Sequence, residues 1–185
     1  MDTDRTPRVV PFGYEPPEGR RKGALVVYDA FDSEENGAFL DTAAAAADRL
    51  RFATLVLYPI HEETLRRMTK SAPFERFAFR LDRLHDWKRK RGPTSDFDIA
   101  VDNWEGKRKK YTPIDAALRH IAEQYRPPHF LFLAPPTANL FASYDSFGDW
   151  ITRIRLLIAD PPAEAHPMLE RHRSEERRVG KECRL

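Results

Sequence analysis

Four aspartates are the first residues in this chain that could do chemistry. Asp29, Asp32, Asp98 and Asp102 each stand beside a short apolar run. If those runs are neighbouring strands, their end carboxylates can converge and hold Mg²⁺ for phosphoester hydrolysis. One expectation is therefore a metal-dependent phosphohydrolase or nuclease with Asp29, Asp98 and Asp102 as ligands. The plainer role of the same residues is helix capping and loop solvation, and Asp98 alternates with core positions and can face away. His61 follows an apolar run and is the one histidine placed for acid–base work, although without a positioned partner it reads as an exposed loop residue. His85, His120, His129, His166 and His172 show neither zinc spacing nor a His-Glu-x-x-His pair. No Gly-x-Ser-x-Gly elbow, Walker loop or Gly-x-Gly-x-x-Gly turn occurs.

Two basic runs, Lys88-Arg89-Lys90-Arg91 and Lys107-Arg108-Lys109-Lys110, are flanked by Trp87, Trp104 and Tyr111. Bases stack on such rings while cations hold the phosphates, so an RNA-binding module is a further expectation. It requires the cations on one face. Net charge speaks against it. The formal charge is +2, but residues 173–183 match the translation of a short-read sequencing adapter residue for residue, so 173–185 read as a non-native tail. Without that tail the chain has 26 basic and 26 acidic residues. Nucleic acid is therefore not the expected partner. The only cysteine, Cys183, lies in the same tail, which leaves no thiol chemistry and suits a reducing, cytoplasmic setting. No apolar run approaches the roughly 20 residues of a membrane span.

The elements that must position these residues follow from the apolar pattern. Residues 1–22, rich in proline and charge, read as a disordered leader. A single α/β domain is expected over 23–160, followed by a polar segment over 161–172. Ala24 to Tyr28 and Ala53 to Tyr58 are short apolar runs of buried-strand type, with an alanine-rich helix over 38–51 between them. Asp32 or Ser33 can cap that helix. Strand, helix, strand at this spacing is a parallel unit. Residues 62–70 suit a short helix and 73–91 a longer one, with Phe74, Phe77, Leu81, Leu84 and Trp87 at helical spacing. Phe97 to Val101 suits a third strand, and 102–110 a polar turn. Thr112 and Pro113 open a helix to about residue 124. His129 to Ala134 suits a fourth strand, and a last helix runs through Trp150, Ile154 and Leu157. The expected fold is α/β, an open, mainly parallel sheet of four or five strands with helices on both faces. Ligands of such sheets bind beyond the carboxyl ends of the strands, which singles out Asp29 to Ser33, Tyr58 to His61, Asp102 to Trp104 and Ala134 to Ser146.

Val26-Val27-Tyr28-Asp29, Asp32-Ser33-Glu34, the alanines at 43–47 and Leu55-Val56-Leu57 are similar to the opening of the universal stress protein family. The pair 114–124 and 130–133 resembles that family's third helix and fourth strand. The resemblance covers roughly residues 23–158. It implies a Rossmann-like fold, a nucleotide ligand such as ATP or another adenine nucleotide, and a homodimer formed through a final edge strand. It implies that Asp29 meets the base or ribose, with Ser33 and Tyr58 at neighbouring strand ends. The family's phosphate motif is glycine, two residues, glycine, nine residues, glycine, then serine or threonine. Here the first glycine position falls on Ala134, the second on Thr137 and the third near Gly148, which Asp149 follows. Pro135 and Pro136 remove two N–H donors, and Asp149 sets a carboxylate where a phosphate belongs. The expectation is thus a non-enzymatic, universal-stress-like regulatory or binding protein in which nucleotide binding is weak or lost. No final strand is evident after the last helix.

Overall fold

The structure, a computed structural model, describes residues 21–33, 35–70, 73–93, 96–159 and 164–172. Residues 173–185 and nearly all of the expected leader lie outside the described residues. Six consecutive buried residues, from Gly23 to Tyr28, explain the centre of the fold. A strand buried on both sides needs a strand at each edge and helices on both faces. The chain supplies them in the order β1 (Lys22–Asp29), α1 (Asn36–Arg49), β2 (Phe52–Pro59), α2 (Glu62–Thr69), α3 (Phe77–Arg91), β3 (Asp98–Val101), α4 (Trp104–Arg108), α5 (Ile114–Gln124), β4 (His129–Leu133), α6 (Pro135–Ala142), α7 (Phe147–Ile151) and β5 (Ile154–Ile158). Residues 167–172 add a further helical segment. The five strands form one open, all-parallel sheet in the order β3-β2-β1-β4-β5. The fold is therefore α/β and Rossmann-like, as expected.

Alternation along the strands divides the core in two. Val26, Tyr28, Val56 and Leu131 face one side, covered by α2, α5, α6 and α7. Leu25, Val27, Leu55, Leu57 and Phe132 face the other, covered by α1 and α3. α1 supplies its share through Leu40, Ala43, Ala44 and Ala47, an apolar stripe at helical spacing. Among the described residues no helix is long and apolar enough to cross a membrane.

Several expected elements are corrected. The last helix, expected through Trp150, Ile154 and Leu157, ends at Ile151, and the strand thought missing is β5. Ile154 and Leu157 do lie three apart, but Ile154 packs in one core and Leu157 against the other. That is the period of two of a strand, not the single stripe of a helix. The expected polar turn over 102–110 contains α4. The Thr112 side chain caps nothing; its hydroxyl donates to Lys110 O, and Pro113 stands at the cap position of α5. α3 starts at Phe77 rather than near Pro73, and its buried face contains Arg80 beside Phe77 and Leu84. The stretch after β4 forms α6, because proline fits the first helical positions, where no N–H partner exists.

Candidate functional site

β1 and β4 are neighbours, yet α1 leaves β1 on one face and α6 follows β4 on the other. This is the topological switch point where open parallel sheets bind ligands. Val27 pairs with Phe132, so Asp29, which ends β1, and Ala134, which follows β4, each two residues further on, lie at neighbouring strand ends. Asp29 is occupied by its own loop: its Oδ1 accepts from the Phe31 N–H at 2.9 Å, and burial raises its pKa. Phe31 is held at φ 53°, a left-handed conformation unusual for an aromatic residue. Ser33 Oγ accepts from the Glu35 N–H. Ala134 precedes α6, whose first two residues, Pro135 and Pro136, have no N–H to offer an anion. Thr137 lies within α6 and Gly148 within α7. The resemblance-derived positions thus divide: Asp29 and Ala134 meet at the switch point, while Ser33 and Gly148 accompany helices on opposite faces of the sheet.

Tyr58, at the end of β2, belongs to a buried network centred on Glu105 of α4. Glu105 is 1% exposed. Its carboxylate accepts from Tyr58 Oη at 3.0 Å, the His61 N–H at 2.8 Å and Thr64 Oγ1 at 3.1 Å. Thr64 Oγ1 in turn accepts from the Thr112 N–H at 3.0 Å. Burial pushes the Glu105 carboxyl up to about 7, against the pull of those donors and of Arg108. Burial, and the Glu105 charge beside it, push the Tyr58 phenol well above its ordinary range. Glu105 was missed in the sequence because nothing local marks it: it stands in a charged turn, and only tertiary packing buries it.

Asp102, at the end of β3, is the centre of a second network. Its Oδ1 accepts from the N–H of Trp104, the first residue of α4, at 2.8 Å. Its Oδ2 lies 2.8 Å from both His120 Nε2 and Tyr125 Oη. The His120 ring stacks on Trp104 with centroids 4.4 Å apart. Asp98 stands at the opposite, amino end of β3 and is exposed. Asp29, Asp98 and Asp102 therefore do not converge. Among the described residues no group of three histidine, cysteine, aspartate or glutamate residues could hold a metal. His61 is buried rather than a loose loop residue. Its Nδ1 accepts from the Glu63 N–H and so caps α2, which fixes the neutral tautomer with the proton on Nε2. Burial lowers its pKa.

Arg80, also missed because charge usually marks surface, is fully buried. Its guanidinium donates to Ala30 O, to Ile60 O at 2.8 Å, to Glu75 O at 2.9 Å and to Glu62 Oε2 at 3.4 Å. It ties the loop after β1 to the loop after β2. Two clefts flank the carboxyl edge. One, of about 500 Å³, lies between α1 and α3 and includes Ser33, Arg83 and Trp87. The other, of about 360 Å³, lies between α2, the start of α5 and the α6–α7 connection, and includes Arg67, Met68, Tyr111 and Tyr144. The two basic runs are not on one face: Trp87 packs against the core under α1 and α3, and Trp104 against the other. No protein-family model, no curated protein and no solved structure matches the chain.

Proposed function

We propose that the protein is a non-enzymatic binding protein of universal-stress type, in which an adenine nucleotide is held weakly at the switch point, chiefly through its base and ribose. The observation that carries this reading is the junction of β4 and α6. There the chain passes from Ala134 directly into Pro135-Pro136, so the turn beside Asp29 offers no N–H cradle for phosphate. The fate of the polar groups supports the non-enzymatic part. Asp102 at the end of β3 and Glu105 in α4 are engaged by internal donors, and His61 caps a helix. A general acid or base must reach a substrate, and each of these is engaged by groups within the protein.

Isothermal titration of the full chain with ATP, ADP, AMP and adenosine tests the reading. The expected result is weak binding of all four, with little gain from added phosphates, and weakening in Asp29→Asn. Absence of binding by every one of them at millimolar concentration defeats the proposal. Mg²⁺- or Mn²⁺-dependent turnover of a phosphoester, lost in Asp29→Asn, would defeat its non-enzymatic part and restore the hydrolase expectation.

A further inference from the structure

The basic run at 107–110 gains new company in the folded molecule. α2 packs beside the segment from α4 to Thr112. Thr64 Oγ1 bonds both Glu105 and the Thr112 N–H, and the Arg67 guanidinium lies 4.5 Å from the centre of the Tyr111 ring. This sets Arg67, in the last turn of α2 with Arg66 and ahead of Lys70, against the residue that follows the four cations of the run, across some 40 residues of chain. Among the described residues, only Arg66 of this group has an ion-pair partner, Glu63. Glu62 turns to Arg80 instead, and Glu105 is buried. Arg108 lies over the Trp104 ring at 4.7 Å, with a buried Nε that has no hydrogen-bond partner. The run at 88–91 differs: Arg89 pairs with Asp86, and Arg91 with Asp41 at 3.7 Å.

Within this cationic surface stands one exposed ring. Tyr111 is 37% exposed, is covered on one face by Arg67, and borders the cleft of about 360 Å³. Asp115 and Asp145 line the same cleft; Asp115 accepts from Trp150 Nε1 at 2.6 Å. We propose that this surface binds single-stranded nucleic acid. Backbone phosphates lie along the cations of α2 and of 107–110, and a base stacks at Tyr111 with its edge in the cleft. A purely anionic partner such as a lipid surface or a duplex needs charge alone. An aromatic ring set among cations beside a slot suits an unstacked base. Without residues 173–185 the 26 basic residues that balance 26 acidic ones include the seven of this surface, so the rest of that chain is net acidic.

Fluorescence anisotropy of the full chain with a labelled single-stranded RNA of about 12 nucleotides, a length within the usual range of such sites, tests the proposal. A duplex of the same length and vesicles containing anionic lipid serve as comparisons. The single strand is expected to bind best, and to weaken steeply between about 50 and 200 mM salt. The triple change Lys107→Gln, Lys109→Gln and Lys110→Gln is expected to weaken binding about tenfold or more and to flatten the salt dependence. Tyr111→Ala is expected to weaken it several-fold at every salt concentration without altering the slope. Lys88→Gln with Lys90→Gln is expected to change nothing. All these side chains are exposed, and circular dichroism of each variant is the check that it folds. Three results would overturn the proposal: no binding at low salt, unchanged affinity in the triple variant, or duplex or vesicles bound as well as single strand with Tyr111→Ala silent.

Discussion

Two buried titratable residues, Glu105 and His61, act on stability with opposite signs. Glu105 has a folded pKa of about 7. An unfolded glutamate titrates near 4.3, so folding favours the protonated form. That contribution is complete below the unfolded value and is lost as pH rises through about 7, a loss of about 3 kcal/mol. Glu105→Gln removes the titration but can accept at only one oxygen. Between pH 5 and 8 the wild type is expected to lose about 3 kcal/mol more of unfolding free energy than Glu105→Gln does, measured by urea denaturation. Parallel pH profiles would show that Glu105 does not titrate in this range. His61 runs the other way. Burial depresses its folded pKa, so its contribution is present above the unfolded value near 6.5 and is lost as pH falls through the folded one. His61→Asn keeps an acceptor at the cap and is expected to flatten this acid limb. His61→Ala is expected to lose about 1 kcal/mol near neutrality through the cap, and more through lost packing against Phe77. A His61→Asn protein as acid-sensitive as the wild type would exclude the histidine as the cause.

At the scale of elements, Arg80 decides whether the loops after β1 and β2 hold their places. It serves three main-chain carbonyls and one carboxylate from a fully buried position. Arg80→Met leaves those acceptors buried and unpaired, an expected loss of about 3–5 kcal/mol in urea denaturation. Arg80→Lys is expected to recover little, because a point ammonium cannot reproduce a planar fork. Full stability in Arg80→Lys would show that charge alone suffices. Two helical glycines supply a matched contrast. A Cβ on Gly37 in α1 would meet nothing within 4 Å, so Gly37→Ala is expected to add about 0.5–1 kcal/mol. A Cβ on Gly106 would lie 2.2 Å from Asn103 Oδ1 and 2.3 Å from the Phe77 ring, so Gly106→Ala is expected to push α4 from α3 and destabilise. Thermal unfolding distinguishes the two signs. These contrasts also mark what the sequence could show. β1, α1, β2, α5 and β4 were readable because each carries its own apolar period. β5 was not, because Trp150, Ile154 and Leu157 also fit helical spacing. α6 was hidden behind two prolines that signal a break when read locally. Arg80 and Glu105 were invisible because their burial is decided by elements distant in the chain.

At the scale of the whole molecule, the same distinction separates composition from arrangement. Balanced charge in the sequence argued against a polyanion partner, yet packing α2 beside α4 gathers cations that composition averages away. The condition that both basic runs share a face is not met because α3 and α4 cover opposite sides of the sheet, a matter of topology rather than residue type. The topology also dictates where the fold is most resistant. β1 is paired on both sides and covered on both faces, and Leu25, Val26 and Val27 are wholly buried. β2 and β4 share that protection along their centres. Among the described residues β3 and β5 each pair with one strand and stand at the edges of the sheet. Native-state hydrogen exchange should therefore divide the sheet. Amides of Leu25 to Val27, Leu55 to Leu57 and Leu131 to Phe132 are expected to exchange only through global unfolding, at the free energy given by denaturant. Those of β3 and β5 are expected to exchange through smaller openings. The Arg80→Met variant extends the test: the β1 and β2 centres should track the global loss, whereas Phe31 and Ile60, in the loops released by the missing guanidinium, should lose protection beyond it. Equal protection from β3 to β5 in the wild type would mean that the sheet opens as one cooperative unit and that edge position carries no penalty here.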